Sequence, residues 1–397
     1  MNSELNPKTL AKIKDDTLKR CHLMPWNEET EKKFCPISPE QIHFLFEASS
    51  VAYPLFLRIE DILIEYVRPE EFSKSLLQNL IAALTKKVDL VKVCVKVEDK
   101  DRLLAQQNVL RKDKINKLFA NYPRLDPRIL KVFDQISFAS QMIIEGGIDS
   151  DVVEKVKTST AAAVDQLLDN PNAIVTLSEM IRHDATLYDH SATVAMLAVS
   201  VASEYNKHRF SRADFTLLAM CGLYHDVGKT CIPSHILNKP GTFTESEYEV
   251  MKEHAELGEA HLNSLVKKGY EIHDLVCRVA GEHHEKFDGS GYPKGIAGRL
   301  EEQAGGIHLY TRVVTIADVY SALLMERVYK PAFKPQESLE IMLNLSAHYD
   351  PLIFKSFVNQ VVTGLKDYHN PGKEKGRIFV KEDGKAPEEY SKVKKSS

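Results

Sequence analysis

No two cysteines in this sequence share CxxC spacing: the six, Cys21, Cys35, Cys94, Cys221, Cys231 and Cys277, are scattered through 397 residues. That excludes a Cys-rich zinc site and a disulfide scaffold, and reduced, mostly buried thiols are expected. No apolar run approaches the roughly 18–20 residues of a membrane span. Met1 to Cys21 mixes Lys, Glu and Asp without the apolar core of a signal peptide, so a cytoplasmic protein is expected. Charge of one sign is also lacking. A formal net charge of −4 gives no global basic field, which disfavours nucleic acid as a bulk partner and leaves any polyanionic ligand to a local cluster.

What is present is ordinary for a globular protein of two or three domains, with 43% hydrophobic and 27% charged residues. Residues 1–39 read as a polar arm, because Pro25, Pro36 and Pro39 interrupt any long element around the single tryptophan, Trp26. Residues 40–104 read as a small α/β domain. Strand-like runs Tyr53–Ile59 and Ile62–Val67 flank the turn Glu60-Asp61, Phe72–Thr85 has helical spacing, and Leu90–Val97 alternates as a strand. Residues 105–165 are helix-forming, either a linker between input and output domains or a bundle extending the core. From 166 to 368 helix follows helix, and 369–397 is a polar, flexible tail. The fold class expected is mainly α, with a small α/β domain and a helical linker preceding an all-α domain.

Five places in the helical half supply metal-ligand side chains. His190 precedes the apolar face Val194, Leu197, Ala198, Val201. His225-Asp226-Val227-Gly228-Lys229 ends a helix opened by the capping box Ser211…Asp214, and Gly228 is placed to terminate it. His254 lies on a helix opened by Thr244-Glu245-Ser246-Glu247. His283-His284 close another, in the dense stretch His283-His284-Glu285-Lys286-Phe287-Asp288-Gly289-Ser290-Gly291-Tyr292-Pro293. Asp318 interrupts the apolar run Val313–Tyr320, where a carboxylate is costly without a cation or hydrogen-bond partners. Any one has an ordinary reading as a cap or a satisfied core residue. Together, at helix ends and core positions, they point to one centre. Histidine and carboxylate without cysteine suit Mn, Fe or Zn, and shared carboxylates permit two metals, a recurrent solution for phosphoester hydrolysis.

These motifs in this order, with Ile316-Ala317-Asp318-Val319, Glu326-Arg327-Val328-Tyr329-Lys330 and Tyr349-Asp350-Pro351, resemble the HD-GYP family over about residues 165 to 368. The resemblance implies an all-α HD-GYP catalytic domain and a bacterial phosphodiesterase that hydrolyses cyclic di-GMP to pGpG or GMP through a metal-bridging hydroxide. Matched position by position, the metal ligands are His190, His225, Asp226, His254, His283, His284 and Asp318, with Asp226 bridging and catalytic. Lys229 matches the lysine near the scissile phosphate, Arg327 and Lys330 match substrate contacts, and Gly291-Tyr292-Pro293 shapes the adjoining loop. Two divalent ions, Fe or Mn, are implied.

The sequence departs from the family at several points. Thr186 stands where members with a third metal carry glutamate, so two metals are expected. Ser321-Ala322-Leu323-Leu324 replaces Asp-Ala-Leu-Thr, and Arg327-Val328-Tyr329 replaces Arg-Pro-Tyr. Extra residues around Glu301–Gly306 read as a longer surface loop. Two alternatives stay open: a catalytically weak cyclic-dinucleotide receptor that recruits a protein partner through the GYP loop or the amino-terminal domain, and a hydrolase of another cyclic dinucleotide such as cyclic GMP-AMP. Oligomeric state is open too, a homodimer among the states allowed.

Overall fold

Alternating apolar residues become five antiparallel strands in a computed structural model of the chain: β1 (Leu23–Pro25), β2 (Phe34–Pro36), β3 (Leu55–Ile59), β4 (Ile62–Val67) and β5 (Val91–Lys96). The structure describes residues 23–37, 45, 48–73, 75, 91–122, 125–146, 148–170, 173–183, 190–206, 210–237, 239, 242–300, 305–325 and 333–369. The chain divides into two compact units, residues 1–114 with 233–242 and residues 115–232 with 243–397.

In the first unit the strand order is β1-β4-β3-β5-β2. The expected hairpin is β3–β4, paired from Ile59↔Ile62 onward, with Glu60 in the left-handed region at φ 52°. Leu55, Leu57, Ile62, Ile64, Val93 and Val95 form one buried face, while Phe34, Phe56, Leu63 and Cys94 cover the other. The stretch read as an arm enters this sheet. β1 and β2 are its two edge strands, joined by helix α1 (Glu28–Lys33), which Asn27 caps. Pro25 and Pro36 end these strands at the sheet edges, where a missing N–H costs least. The helix expected over Phe72–Thr85 falls almost wholly outside the described residues.

Every later regular element among the described residues is helical: α2 (Lys100–Asn121), α3 (Pro127–Gly146), α4 (Ser150–Leu168), α5 (Ala173–His183), α6 (His190–Asn206) and α7 (Arg212–Tyr224). After the single turn Ser234–Leu237 come α8 (Glu245–Lys252), α9 (His254–Lys267), α10 (Asp274–Glu282), α11 (Leu309–Leu324), α12 (Pro335–Asn344) and α13 (Pro351–His369). Ile129, Phe133 and Ile136 of α3 and Val156 and Val164 of α4 belong to the same core as Val194, Leu218, Val276 and Ile316. Within the stretch read as linker or bundle, α3 and α4 therefore extend the core, because each buries an apolar stripe against it. No helix among the described residues is long and apolar enough to cross a membrane.

Helix α11 is central, with residues from Leu309 to Leu324 buried on nearly every side, Asp318 among them. Gly222 of α7 sets the adjoining crossing, since a Cβ there would lie 2.6 Å from the Ala195 Cα of α6. That close approach brings the end of α7 to the start of α6.

Candidate metal centre

Each ligand-type residue sits where a helix starts, ends or is wholly enclosed. His190 opens α6. His225 and Asp226 follow α7, whose start is fixed by the reciprocal Ser211–Asp214 capping box and by the Tyr310 hydroxyl donating to Asp214 Oδ1 at 2.8 Å. The chain then turns through a short 3-10 segment, Val227–Cys231. Gly228 does not end α7 through a left-handed conformation, as its sequence position suggested. A Cβ on Gly228 would run into the His254 carbonyl oxygen and lie 2.9 Å from Gly258 Cα, so glycine is needed to seat this turn on the first turns of α9. His254 starts α9 and His283-His284 follow α10.

These positions converge. Asp318 Oδ1 lies 3.0 Å from His190 Nε2 and 3.8 Å from His225 Nε2. Asp226 Oδ2 lies 3.4 Å from His190 Nε2 and 3.2 Å from His225 Nε2, while its Oδ1 lies 3.3 Å from His254 Nε2 and 3.7 Å from His283 Nε2. His284 Nε2 is 3.1 Å from His254 Nε2. Two groups result, His190/His225/Asp226 and His254/His283/His284, each with its donor atoms within 4.8 Å of one another. Asp318 joins the first, and the second oxygen of Asp226 faces the other.

The donor set fits cations. Nδ1 of His225, His254 and His283 each donates to the carbonyl three residues earlier, on Gly222, Met251 and Ala280, at 2.7, 2.6 and 2.9 Å. That fixes the tautomer and leaves Nε2 a lone-pair donor, as metal-binding imidazoles require. In the neutral rings, the Nε2 atoms of His254 and His283 thus present lone pairs to each other at 3.2 Å, an arrangement that a cation between them would relieve. His225 Nε2 is buried with no hydrogen-bond partner among the described residues.

The charge states agree for both carboxylates and for His283 and His284. Burial opposes ionisation of Asp226 and Asp318. For Asp226 the neighbouring His225 and Lys229 charges outweigh burial and hold the carboxyl well below its usual range; for Asp318 the His190 ring beside it does the same. Burial, then the neighbouring histidines, pushes His283 well below its ordinary value. Burial lowers His284 to about 4, partly opposed by Asp318. Burial lowers His225 as well, but Asp226 and Asp318 outweigh it and raise that ring.

Lys229 Nζ donates to Asp226 Oδ2 at 2.5 Å, setting an ammonium at the edge of the centre. Gly291, Tyr292 and Pro293 lie beside the second group. The Tyr292 ring stacks on His284, with centroids 4.6 Å apart and planes at 25°, and the Tyr292-Pro293 bond is cis. A Cβ on Gly291 would collide with the backbone of His284 to Lys286, which only glycine avoids. Arg327 and Lys330 lie outside the described residues, as do Thr186 and residues 301–304.

Three residues near the centre have roles that the sequence concealed. Glu285 sits inside the dense His-Glu-Asp stretch, yet its carboxylate is turned away, accepting from Lys294 N at 2.7 Å and Ile296 N at 2.8 Å and so holding the loop that carries Tyr292. Ser321 Oγ shares a 3.2 Å hydrogen bond with His190 Nδ1, and Thr315 Oγ1 donates to His283 O at 2.9 Å. Both lie three residues from Asp318 on α11, so helical spacing is the signal that could have found them.

The family model described as HD domain matches residues 175–353. A cyclic di-GMP phosphodiesterase of Pseudomonas aeruginosa is 32% identical over 212 residues, 53% of this chain and 46% of that protein. A 3'3'-cGAMP-specific phosphodiesterase of Vibrio cholerae is 32% identical over 234 residues, 58% and 48% of the two chains. The chain thus spans about half the length of these curated relatives. Among solved structures, an HDG"Y"P protein from Bdellovibrio bacteriovorus aligns with a TM-score of 0.50 over 82% of this chain and 98% of that one; at 15% identity this likeness concerns fold alone.

Proposed function

We propose that residues 175–353, which the HD-domain model matches, form an HD domain of HD-GYP type that holds divalent metal, and that this chain is a metal-dependent phosphodiesterase acting on cyclic di-GMP. The observation that carries the reading is Asp226, whose two oxygens face different histidine groups. His190, His225, Asp226 and Asp318 would hold one ion, and Asp226, His254, His283 and His284 the other. Fe or Mn is the pair of metals we favour, in keeping with N and O donors and no thiolate.

When bound, such ions supply Lewis acidity at phosphoryl oxygens and acidify water in the site. The remaining work belongs to side chains. Lys229 would meet the scissile phosphate as a point charge and offset charge developing on its oxygens. Arg327 and Lys330 would bind the substrate's anionic groups, and the Gly291-Tyr292-Pro293 loop would close one side. Such a set of cations would answer how a chain of net charge −4 binds a dianion. We assign the activity to the cytoplasm, where an exposed free thiol such as Cys231 persists.

Relatives of both named specificities match this chain, which favours testing 3'3'-cGAMP as the second substrate. The experiment is to load the full chain with Mn or Fe(II), incubate it with each dinucleotide and resolve products by chromatography. Linear dinucleotide or mononucleotide products support the reading. Metal-replete protein that binds the nucleotide and releases no product overturns it in favour of a receptor.

A further inference from the structure

The side chains beside His284 continue past the residues assigned above. Tyr248 and Lys252 stand four residues apart on α8, a helix opened by the Thr244–Glu247 capping box. Lys252 Nζ lies 5.4 Å from the centroid of the Tyr248 ring and 5.6 Å from that of Tyr292. One ammonium therefore joins two phenol rings, within the range of cation–π attraction. Tyr292 in turn is stacked on His284, whose Nε2 belongs to the second histidine group. The series His284, Tyr292, Lys252, Tyr248 leads from the metal centre to the surface without a break.

Core packing does not account for the outer end of this series. Helix α8 contains no buried residue, and Tyr248 is 49% exposed. Lys252 is more enclosed, with its side chain 26% exposed and its ammonium paired to Glu249 Oε1 at 2.6 Å. Burial first, then closeness to Tyr248, Asp318 and Asp226, pushes the Tyr292 hydroxyl up, in keeping with a place between α8 and the two carboxylates of the centre.

We infer that Tyr248 and Lys252 form a base-binding wall, on which Tyr248 stacks a purine of the substrate and Lys252 donates to the acceptor edge of that base, selecting guanine over adenine. The inference rests on the cyclic-dinucleotide reading above. An exposed aromatic face supports any base, because every base has a π-face. An ammonium has only donors. It matches the O6 and N7 acceptors of guanine, whereas adenine presents an amino donor where guanine has O6. Stacking thus supplies grip and the lysine supplies choice.

The test uses the metal-loaded full chain and three substrates: cyclic di-GMP, cyclic di-AMP and methyl 4-nitrophenyl phosphate, a phosphodiester with no base. Tyr248→Ala is expected to raise KM for cyclic di-GMP about tenfold, with bound metal per chain retained and with Tyr248→Phe restoring the wild-type value. Lys252→Met is expected to shift the ratio of kcat/KM between cyclic di-GMP and cyclic di-AMP, which has no guanine to seat on the wall, about tenfold against the former. An unchanged KM in Tyr248→Ala, or an equal rise for the base-free ester, overturns the wall. A wild-type chain that cleaves the ester but neither dinucleotide overturns the proposed function itself, and the wall with it.

Discussion

Asp226 and His254 are joined across the centre, with Oδ1 of the one 3.3 Å from Nε2 of the other, while the second oxygen of Asp226 turns to His225 at 3.2 Å. One carboxylate serves both histidine groups, and His254 serves only one. Asp226→Ala is therefore expected to strip the protein of metal from about two ions per chain to nearly none, and His254→Ala to leave about one. Elemental analysis of the purified full chain reads the difference. Two ions retained in Asp226→Ala would refute the bridging arrangement.

Ser321 should tune the first group without being a ligand. Its hydroxyl holds Nδ1 of His190 at 3.2 Å, and such outer hydrogen bonds fix the orientation and basicity of a coordinating imidazole. Ser321→Ala is expected to weaken the first ion by about tenfold while the second is unaffected. Competition with a chelator at graded concentrations separates the two affinities. Equal weakening of both ions would mean that the substitution disturbs α11 as a whole.

The convergence of these side chains was legible because some stand where helical sequence is hard to explain otherwise: His225-Asp226 at the end of an apolar stripe, and Asp318 inside one. Their partition into two groups was not, since it depends on which oxygen of Asp226 faces which ring. Glu285 shows the same limit. Density of ligand-type residues in sequence carries no information about direction, and its carboxylate serves the loop. Gly228 looked like a helix terminator because its steric partner, the His254 carbonyl, lies on another helix. The prolines at 25 and 36 looked like markers of an arm because strand pairing such as Leu23↔Ile64 leaves no local trace.

Glu285 gives a prediction about stability and substrate handling together. It is 1% exposed and accepts from two backbone N–H groups of the loop. Glu285→Ala removes the acceptor of both donors at a partly buried site, at a cost of about 1–3 kcal/mol. Glu285→Gln keeps the shape and one acceptor oxygen, so its loss should be the smaller. Urea unfolding gives the ranking. Because the loop carries Tyr292, both variants should raise KM for cyclic di-GMP while retaining metal, and loss of metal in Glu285→Gln would reassign the residue to the centre.

Arg312 and Asp350 form the most enclosed ion pair among the described residues, with side chains 6% and 3% exposed and Nη1 2.8 Å from Oδ2. Arg312 also donates to the carbonyls of Ile307 and Arg299, and Asp350 Oδ1 accepts from Leu352 N and Ile353 N at the start of α13. The pair thus ties the segment after the Tyr292 loop to both α11 and α13. Taking two charges out of water offsets much of their attraction, so the pair itself adds little net stability. Removing one member is different. Arg312→Met leaves a buried carboxylate without its cation and should cost about 3–5 kcal/mol, whereas Arg312→Met combined with Asp350→Asn should cost less than the first change alone. Chemical denaturation of the three variants measures this. The sign of the coupling is decisive: a double variant less stable than Arg312→Met would show that the helix-capping bonds of Asp350, and not its charge pairing, dominate at this position.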